Sequence, residues 1–229
     1  MSHGYYQLAT GRVAAIEADC PFPALQQALS EPNGLIAIGG DLSAARLLSA
    51  YKQGIFPWFN ADEPVMWWSP NPRMVLYPDE LKISKSLAKT LNNSIFETRI
   101  NTAFQAVITR CSLTPRDGQA GTWISDDMIN AYCELHAQGF AVCAETLLDG
   151  ELVGGCYGVK IGRMFYGESM FHHVTDASKI AFVSLVEWLK SQQVGMIDCQ
   201  MKTPLLSSFG GREINRDDFI QTLAKLVNS

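Results

Sequence analysis

The stretch FAVCAETLLDGELVGGCYGVKIGRMFYGESMF, residues 140–171, decides the fold class. It divides into three strands, 140–148, 151–161 and 164–171. Asp149-Gly150 joins the first two and is the kind of dipeptide a two-residue hairpin favours, because both positions need positive φ. Strands and helices alternate on either side. Arg73 to Tyr77 and Ile95 to Ile100 read as strands, and Ser84 opens a short basic helix between them. Phe104, Val107, Ile108 and Cys111 recur at i, i+3, i+4 and i+7, which places them on one helix face. Ser125 caps a further helix, with Asp126 and Asp127 in its first turn and Gly139 past its end. A long helix over about 177–191 turns Ile180, Ala181, Phe182, Leu185 and Leu189 inward. Met196 to Met201 is a strand, and 216–227 is a last amphipathic helix. An antiparallel run among alternating strands and helices predicts an α/β (α+β) fold, with a mixed, mainly antiparallel sheet covered by helices.

The first third reads differently. Pro21, Pro23, Pro32, Gly34, Gly39, Gly40 and Pro57 make it rich in turn formers. One helix stands out there: Ser43 caps it, Leu47, Leu48 and Tyr51 share a face, and Gly54 ends it. Three prolines between Pro64 and Pro72 each disfavour helix in the residue before them, so the domain boundary falls here. The expected division is a small N-terminal domain over 1–71 and a larger domain over 72–229.

The 229 residues are enough for a substantial core, and 47% are hydrophobic. The net charge of -5 means that no whole-protein field attracts nucleic acid, so any such contact is local. The six cysteines form no C-x-x-C pair and the four histidines build no zinc spacing; buried thiols in a reducing compartment are expected, and no metal. The opening MSHGYYQLATGRVAAIEADC lacks the basic and apolar segments of a signal peptide, and no run reaches the ~18 apolar residues of a membrane span. The expectation is cytoplasmic, with no membrane partner.

Three segments carry residue types that a plain core would not choose. Gly54-Ile55-Phe56-Pro57-Trp58-Phe59 and Trp67-Trp68-Ser69-Pro70 are aromatic clusters, with Trp123 a third large aromatic before a helix cap. They are either a small core or a platform on which bases stack. In Gly167-Glu168-Ser169-Met170-Phe171 a carboxylate sits in an apolar strand, which is costly to bury unpaired. It either faces solvent from an edge strand or belongs to a site. In Ile197-Asp198-Cys199-Gln200-Met201, alternation puts Asp198 and Gln200 on the face opposite Ile197, Cys199 and Met201. Two such residues on one face mark a polar site or a solvated outer surface.

These segments, with Glu31-Pro32-Asn33-Gly34, Gly39 to Ser43, Gly121 to Ser125 and Gly154-Gly155-x-Tyr157-Gly158, resemble the leucyl/phenylalanyl-tRNA–protein transferase family in order and spacing over about residues 24–219. The resemblance implies a larger domain of the GNAT-type acyltransferase fold. It also implies a reaction: Leu or Phe, and less readily Met, passes from aminoacyl-tRNA to the α-amine of a protein beginning with Arg or Lys, marking it for degradation. No cofactor is expected, and the protein is expected to be a monomer. By the same resemblance Asp198 and Gln200 are the catalytic pair. Gln200 would orient the amine and Asp198 would supply negative potential, with the proton acceptor left open between Asp198, Gln200 and the substrate. Glu168 would hold the acceptor's cationic first residue, and Ser169 would belong to the substrate-binding site. Trp58 and Trp123 would clasp the terminal adenosine. Cys156, Phe165, Phe182, Leu185 and Ile197 would line the pocket for the transferred side chain.

Three departures from the family pattern stand out. Cys156 replaces a larger residue, which would widen the pocket. The basic run is reduced to Lys82, Lys85 and Lys89, read as phosphate contacts on one short helix. Leu205 stands where a His is frequent. A coenzyme A-dependent acetyltransferase is the main alternative, but Gln192-Gln193-Val194-Gly195-Met196-Ile197, its nearest match to a pyrophosphate loop, leads into a strand rather than a helix. A non-catalytic tRNA-binding module would leave Glu168, Asp198 and Gln200 without a purpose.

Overall fold

The computed structural model describes residues 4–60, 62–92, 95–114 and 124–228. Two sheets organise them. The first comprises β1 (Gly4–Leu8), β2 (Gly11–Ile16), β3 (Leu35–Gly39), β4 (Phe56–Pro57) and β5 (Met66–Trp68), in the order β1-β2-β3-β5-β4. The second comprises β6 (Arg73–Leu76), β7 (Phe96–Ile100), β8 (Ala141–Leu148), β9 (Glu151–Ile161), β10 (Met164–His172), β11 (Met196–Gln200) and β12 (Arg212–Ile214), in the order β12-β6-β11-β10-β9-β8-β7. It is antiparallel throughout except for the β10–β11 pair. The fold is thus the mixed, mainly antiparallel α/β architecture expected. Asp149 and Gly150, at φ of 51° and 83°, make the hairpin turn between β8 and β9.

The helices are α1 (Ala44–Lys52), α2 (Lys85–Asn92), α3 (Phe104–Ser112), α4 (Asp126–Ala137), α5 (Ala177–Ser191), α6 (Pro204–Ser208) and α7 (Arg216–Leu226). Helix α5 lays Ile180, Ala181, Phe182, Leu185 and Leu189 on one face of the larger sheet. The other face is covered by α3, α4 and α7 together with the smaller sheet, so Trp67, Tyr51, Tyr132, Tyr157 and Phe219 share one core. Ser43 and Ser125 accept from the backbone N–H of Arg46 and Met128 and so start α1 and α4. Gly154 lets α5 approach: a Cβ there would lie 2.6 Å from the Ala177 backbone.

Three readings are corrected. The turn-rich first third holds five strands besides its helix. They are two to six residues long, and β3 opens with four successive buried residues, Leu35 to Ile38, so period-two alternation never shows. Helix α6 and strand β12 were not foreseen either. Lys82 is not on the basic helix; it lies in the segment before α2, where its backbone N–H donates to Phe209 O at 2.9 Å.

Candidate active site

Strands β10 and β11 pair only from Met164–Met196 to Tyr166–Asp198. At that level both strands bulge, β10 between Gly167 and Ser169 and β11 between Asp198 and Gln200. A bulge inserts an unpaired residue, bends its strand and re-aims the side chains beside it. The two strands therefore part, and a cavity of about 460 Å³ opens where they do. Cys156, Phe165, Phe182, Leu185 and Ile197 line it together, and Glu168, Ser169, Gln200 and Trp58 also reach its wall. Burial raises both the Cys156 and Cys199 thiols at the wall, which keeps them neutral and apolar in character.

Glu168 is the extra residue of the β10 bulge. Tyr51 Oη donates to its Oε1 at 2.6 Å, and Tyr132 Oη donates to its Oε2 at 3.1 Å; the two hydroxyls also touch one another. Burial pushes the carboxyl up to about 7. The two tyrosine bonds oppose the rise, Asp198 adds to it, and Arg73 opposes it. Both tyrosines are themselves held well above their ordinary value, by burial first and then by Glu168, and so remain donors. Neither Tyr51 nor Tyr132 was singled out by the sequence as a site residue. Each sits on the inward face of an amphipathic helix, where a tyrosine reads as core, although its hydroxyl needs a partner once buried.

The sign of Glu168's effect on stability follows from linkage. An unfolded carboxyl releases its proton near 4.5, whereas the native one keeps it to about 7. Between those values the native state binds more protons, so stability falls as pH rises through the window. Denaturant midpoints measured from pH 4.5 to 7 should show this decline, and Glu168→Gln should flatten it. An identical slope in the variant would assign the effect to another group.

Asp198 is placed otherwise than expected. Period-two alternation puts it beside Gln200 on a common polar face. Instead it is 0% exposed and does not line the cavity, whereas Gln200 does, together with Ile197, Cys199 and Met201. The β11 bulge breaks the alternation between Asp198 and Gln200. Arg73 Nε and Nη2 donate to Asp198 Oδ1 and Oδ2 at 2.8 and 2.7 Å, and the Gln200 N–H donates to Oδ1 at 3.0 Å. Asp198 is thus fully engaged behind the wall. Arg73 was missed, although the signal that drew attention to Glu168, a charge in an apolar strand, applies equally to Arg73-Met74-Val75-Leu76.

The aromatic clusters divide between the two readings. Phe56, Phe59 and Trp67 are core, with Trp67 Nε1 donating to Gly39 O at 2.8 Å. Trp58 is half-buried at the cavity, and Trp68 Nε1 donates to its carbonyl at 2.6 Å. Trp123 lies outside the described residues. Lys82, Lys85 and Lys89 are exposed. Among the described residues, no cluster of three or more His, Cys, Asp or Glu could hold a metal ion, and no helix is long and apolar enough to cross a membrane.

Comparison with known proteins adds the following. A family model described as leucyl/phenylalanyl-tRNA protein transferase matches residues 75–224, and one described as the N-terminal domain of that transferase matches residues 40–71. A protein of Chromobacterium violaceum named leucyl/phenylalanyl-tRNA–protein transferase is 59% identical over 206 residues, covering 90% of this chain and 88% of the relative. A like-named protein of Nitrosomonas eutropha is 57% identical over 216 residues, covering 94% of this chain and 92% of its own. Among solved structures, "The structure of L-PGS from Bacillus licheniformis" overlays with a TM-score of 0.48 at 9% identity, covering 98% of this chain and 85% of that one.

Proposed function

The chain belongs to the leucyl/phenylalanyl-tRNA–protein transferase family, and from that footing we propose that it moves Leu or Phe, and less readily Met, from tRNA to the α-amine of proteins beginning with Arg or Lys, marking them for degradation. The observation that carries this reading is the cavity between β10 and β11. It joins an apolar end sized for a side chain, an acidic group and an uncharged polar group in one space. It would act as a cytoplasmic monomer.

The reaction is ester aminolysis. An α-amine of pKa ~7.7–8.0 is already neutral in a useful fraction near pH 7. The Gln200 side chain orients it towards the ester carbonyl carbon. A C–N bond forms, the bond from carbonyl carbon to ribose oxygen breaks, and that oxygen takes the amine's proton. Gln200 suits the orienting task because it is the polar group that β11 presents to the cavity. Asp198, out of reach behind it, acts through the Gln200 backbone. Glu168 receives the guanidinium or ammonium of the acceptor's first residue, a charge-assisted bond that an apolar wall does not offer. Ser169 is its neighbour on the same wall. The five apolar residues take the transferred side chain, with Cys156 leaving it room. Such a pocket distinguishes chains that differ by one methylene by only ~1–3 kcal/mol, which fits a Leu and Phe donor range.

The smaller domain, residues 1–71 in this proposal, contributes Trp58 to the site of the tRNA 3′ end, and Trp123 would complete the clasp from the larger domain, 72–229. Lys82, Lys85 and Lys89 would meet acceptor-stem phosphates. Three contacts would give a slope of log K against log salt of roughly −2 to −3. A much steeper slope would point to a larger RNA surface. Trp58→Ala should weaken binding of an aminoacyl-adenosine analogue by ~1–3 kcal/mol, the worth of one base stack. Unchanged affinity with a lowered melting temperature would return Trp58 to a packing role.

The test of the function is direct. Purified protein is given labelled leucyl- or phenylalanyl-tRNA, or labelled acetyl-coenzyme A, with acceptors beginning Arg, Lys, Met or Glu. Label should pass from the charged tRNA to the Arg and Lys acceptors. Transfer from acetyl-coenzyme A alone would overturn the reading.

A further inference from the structure

Arg73 takes no part in the reaction as set out above, yet it is among the most unusual residues of the fold. It opens β6, its side chain is 0% exposed, and it carries a charge. Its guanidinium lies 4.9 Å from the Phe56 ring centroid and 4.6 Å from that of Phe219. Two of its nitrogens grip Asp198. The third, Nη1, is buried and has no hydrogen-bond partner among the described residues.

Stability is a poor reason for this arrangement. Removing two charges from water often costs more than their attraction returns, and apolar pairs of like volume are frequently as stable or more so. The strand neighbours Met74, Val75, Leu76 and Ile197 show that apolar residues are at home in these two strands. What the ion pair does hold is a backbone. Asp198 Oδ1 accepts from both Arg73 Nε and the Gln200 N–H, and Gln200 has φ of 55°, the left-handed region that residues with a Cβ rarely adopt. Asp198 sits opposite Val75, and Arg73, two residues before Val75, projects to the same face. The aromatic sandwich fixes the guanidinium, the guanidinium fixes the carboxylate, and the carboxylate fixes the turn of backbone that aims Gln200 at the cavity.

The geometry points to Arg73 as a positioning residue of the transfer reaction: through Asp198 it holds Gln200 in its left-handed conformation at the cavity wall. This rests on the proposed role of Gln200. Lysine cannot substitute, because a point charge cannot make the two parallel bonds that fix the plane of the carboxylate.

Two readouts test it separately. The first is amide hydrogen exchange at Gln200. In Arg73→Lys the Gln200 amide should exchange at least about tenfold faster, an opening easier by ~1.4 kcal/mol, while the amides of α5 keep their protection. Unchanged exchange overturns the positioning role. The second is a double-mutant cycle on kcat, with leucyl-tRNA and an acceptor beginning with Arg. Arg73→Lys should lower kcat by about tenfold or more in the otherwise native protein, with the KM for charged tRNA little changed. In a Gln200→Ala background the same substitution should have almost no further effect, because the side chain it aims is gone. Equal losses in both backgrounds overturn the proposal. Faster exchange with undiminished kcat would instead sink the role given to Gln200 and leave the structural link standing. If Arg73→Lys does not fold, Asp198→Asn serves in its place; it keeps Oδ1 as acceptor but weakens the hold of Arg73, and the same two outcomes decide.

Discussion

Asp198→Ala should give a protein less stable by about 3–5 kcal/mol and unable to transfer. Both effects have one origin. The substitution leaves the Arg73 guanidinium buried between Phe56 and Phe219 without its anion, and it frees the Gln200 N–H. Removing one partner of a buried pair is far more damaging than replacing both, since the remaining charge has neither water nor a counter-ion. The loss is measured from denaturant midpoints at pH 7, with transfer assayed where the variant is still folded. Asp198→Asn, which keeps the shape and one acceptor, should lose less of both. A folded Asp198→Ala with native stability would mean that the ion pair contributes nothing, and transfer in that variant at more than about a tenth of the native rate would remove Asp198 from the reaction altogether. The sequence reading, which put Asp198 on a shared polar face, expects a loss of activity with the fold intact; full burial predicts that stability goes with it.

Glu168→Gln should lower kcat/KM for acceptors beginning with Arg or Lys by roughly ten- to 150-fold, the ~1.5–3 kcal/mol of a hydrogen bond to a charged group, and leave charged-tRNA binding unaltered. The two carboxylates of the site differ in this respect. Asp198 has its cation, whereas Glu168 has two tyrosine hydroxyls and forms no ion pair among the described residues. A carboxylate held only by phenols at a cavity wall can still accept a cation from outside. Glutamine keeps the size and loses the charge; its amide oxygen still accepts from one tyrosine hydroxyl, and its NH2 donates to the other. A defect confined to the donor side would show that the acceptor's first residue is recognised elsewhere.

Much of this was legible in the chain. The hairpin of β8 and β9 follows from Asp149-Gly150, α3 from the spacing of Phe104, Val107, Ile108 and Cys111, and the helix expected over about 177–191 is α5. These are local signals, set by 3.6- and two-residue periods and by turn chemistry. The resemblance named five apolar residues, and the structure brings all five to one cavity wall. The five short strands of the first third were not legible, because two to six residues give periodicity too little length, and β3 lies in the core on both faces.

The sequence by itself determined the family, the order of strands and helices from β6 to β11 and the identities of Glu168, Asp198 and Gln200 as residues out of place in apolar strands. Only the tertiary structure decided what each of them faces. Alternation assumes an unbroken strand, and the β11 bulge lies between Asp198 and Gln200. Pairing is decided by neighbours in space: Arg73 meets Asp198 across 125 residues of chain, and Tyr51 meets Glu168 across 117. A carboxylate's chemistry depends on those neighbours and on its access to water. One acid is therefore locked to a guanidinium behind the wall while the other stands at the cavity on two phenols, a difference that the two strand sequences do not contain.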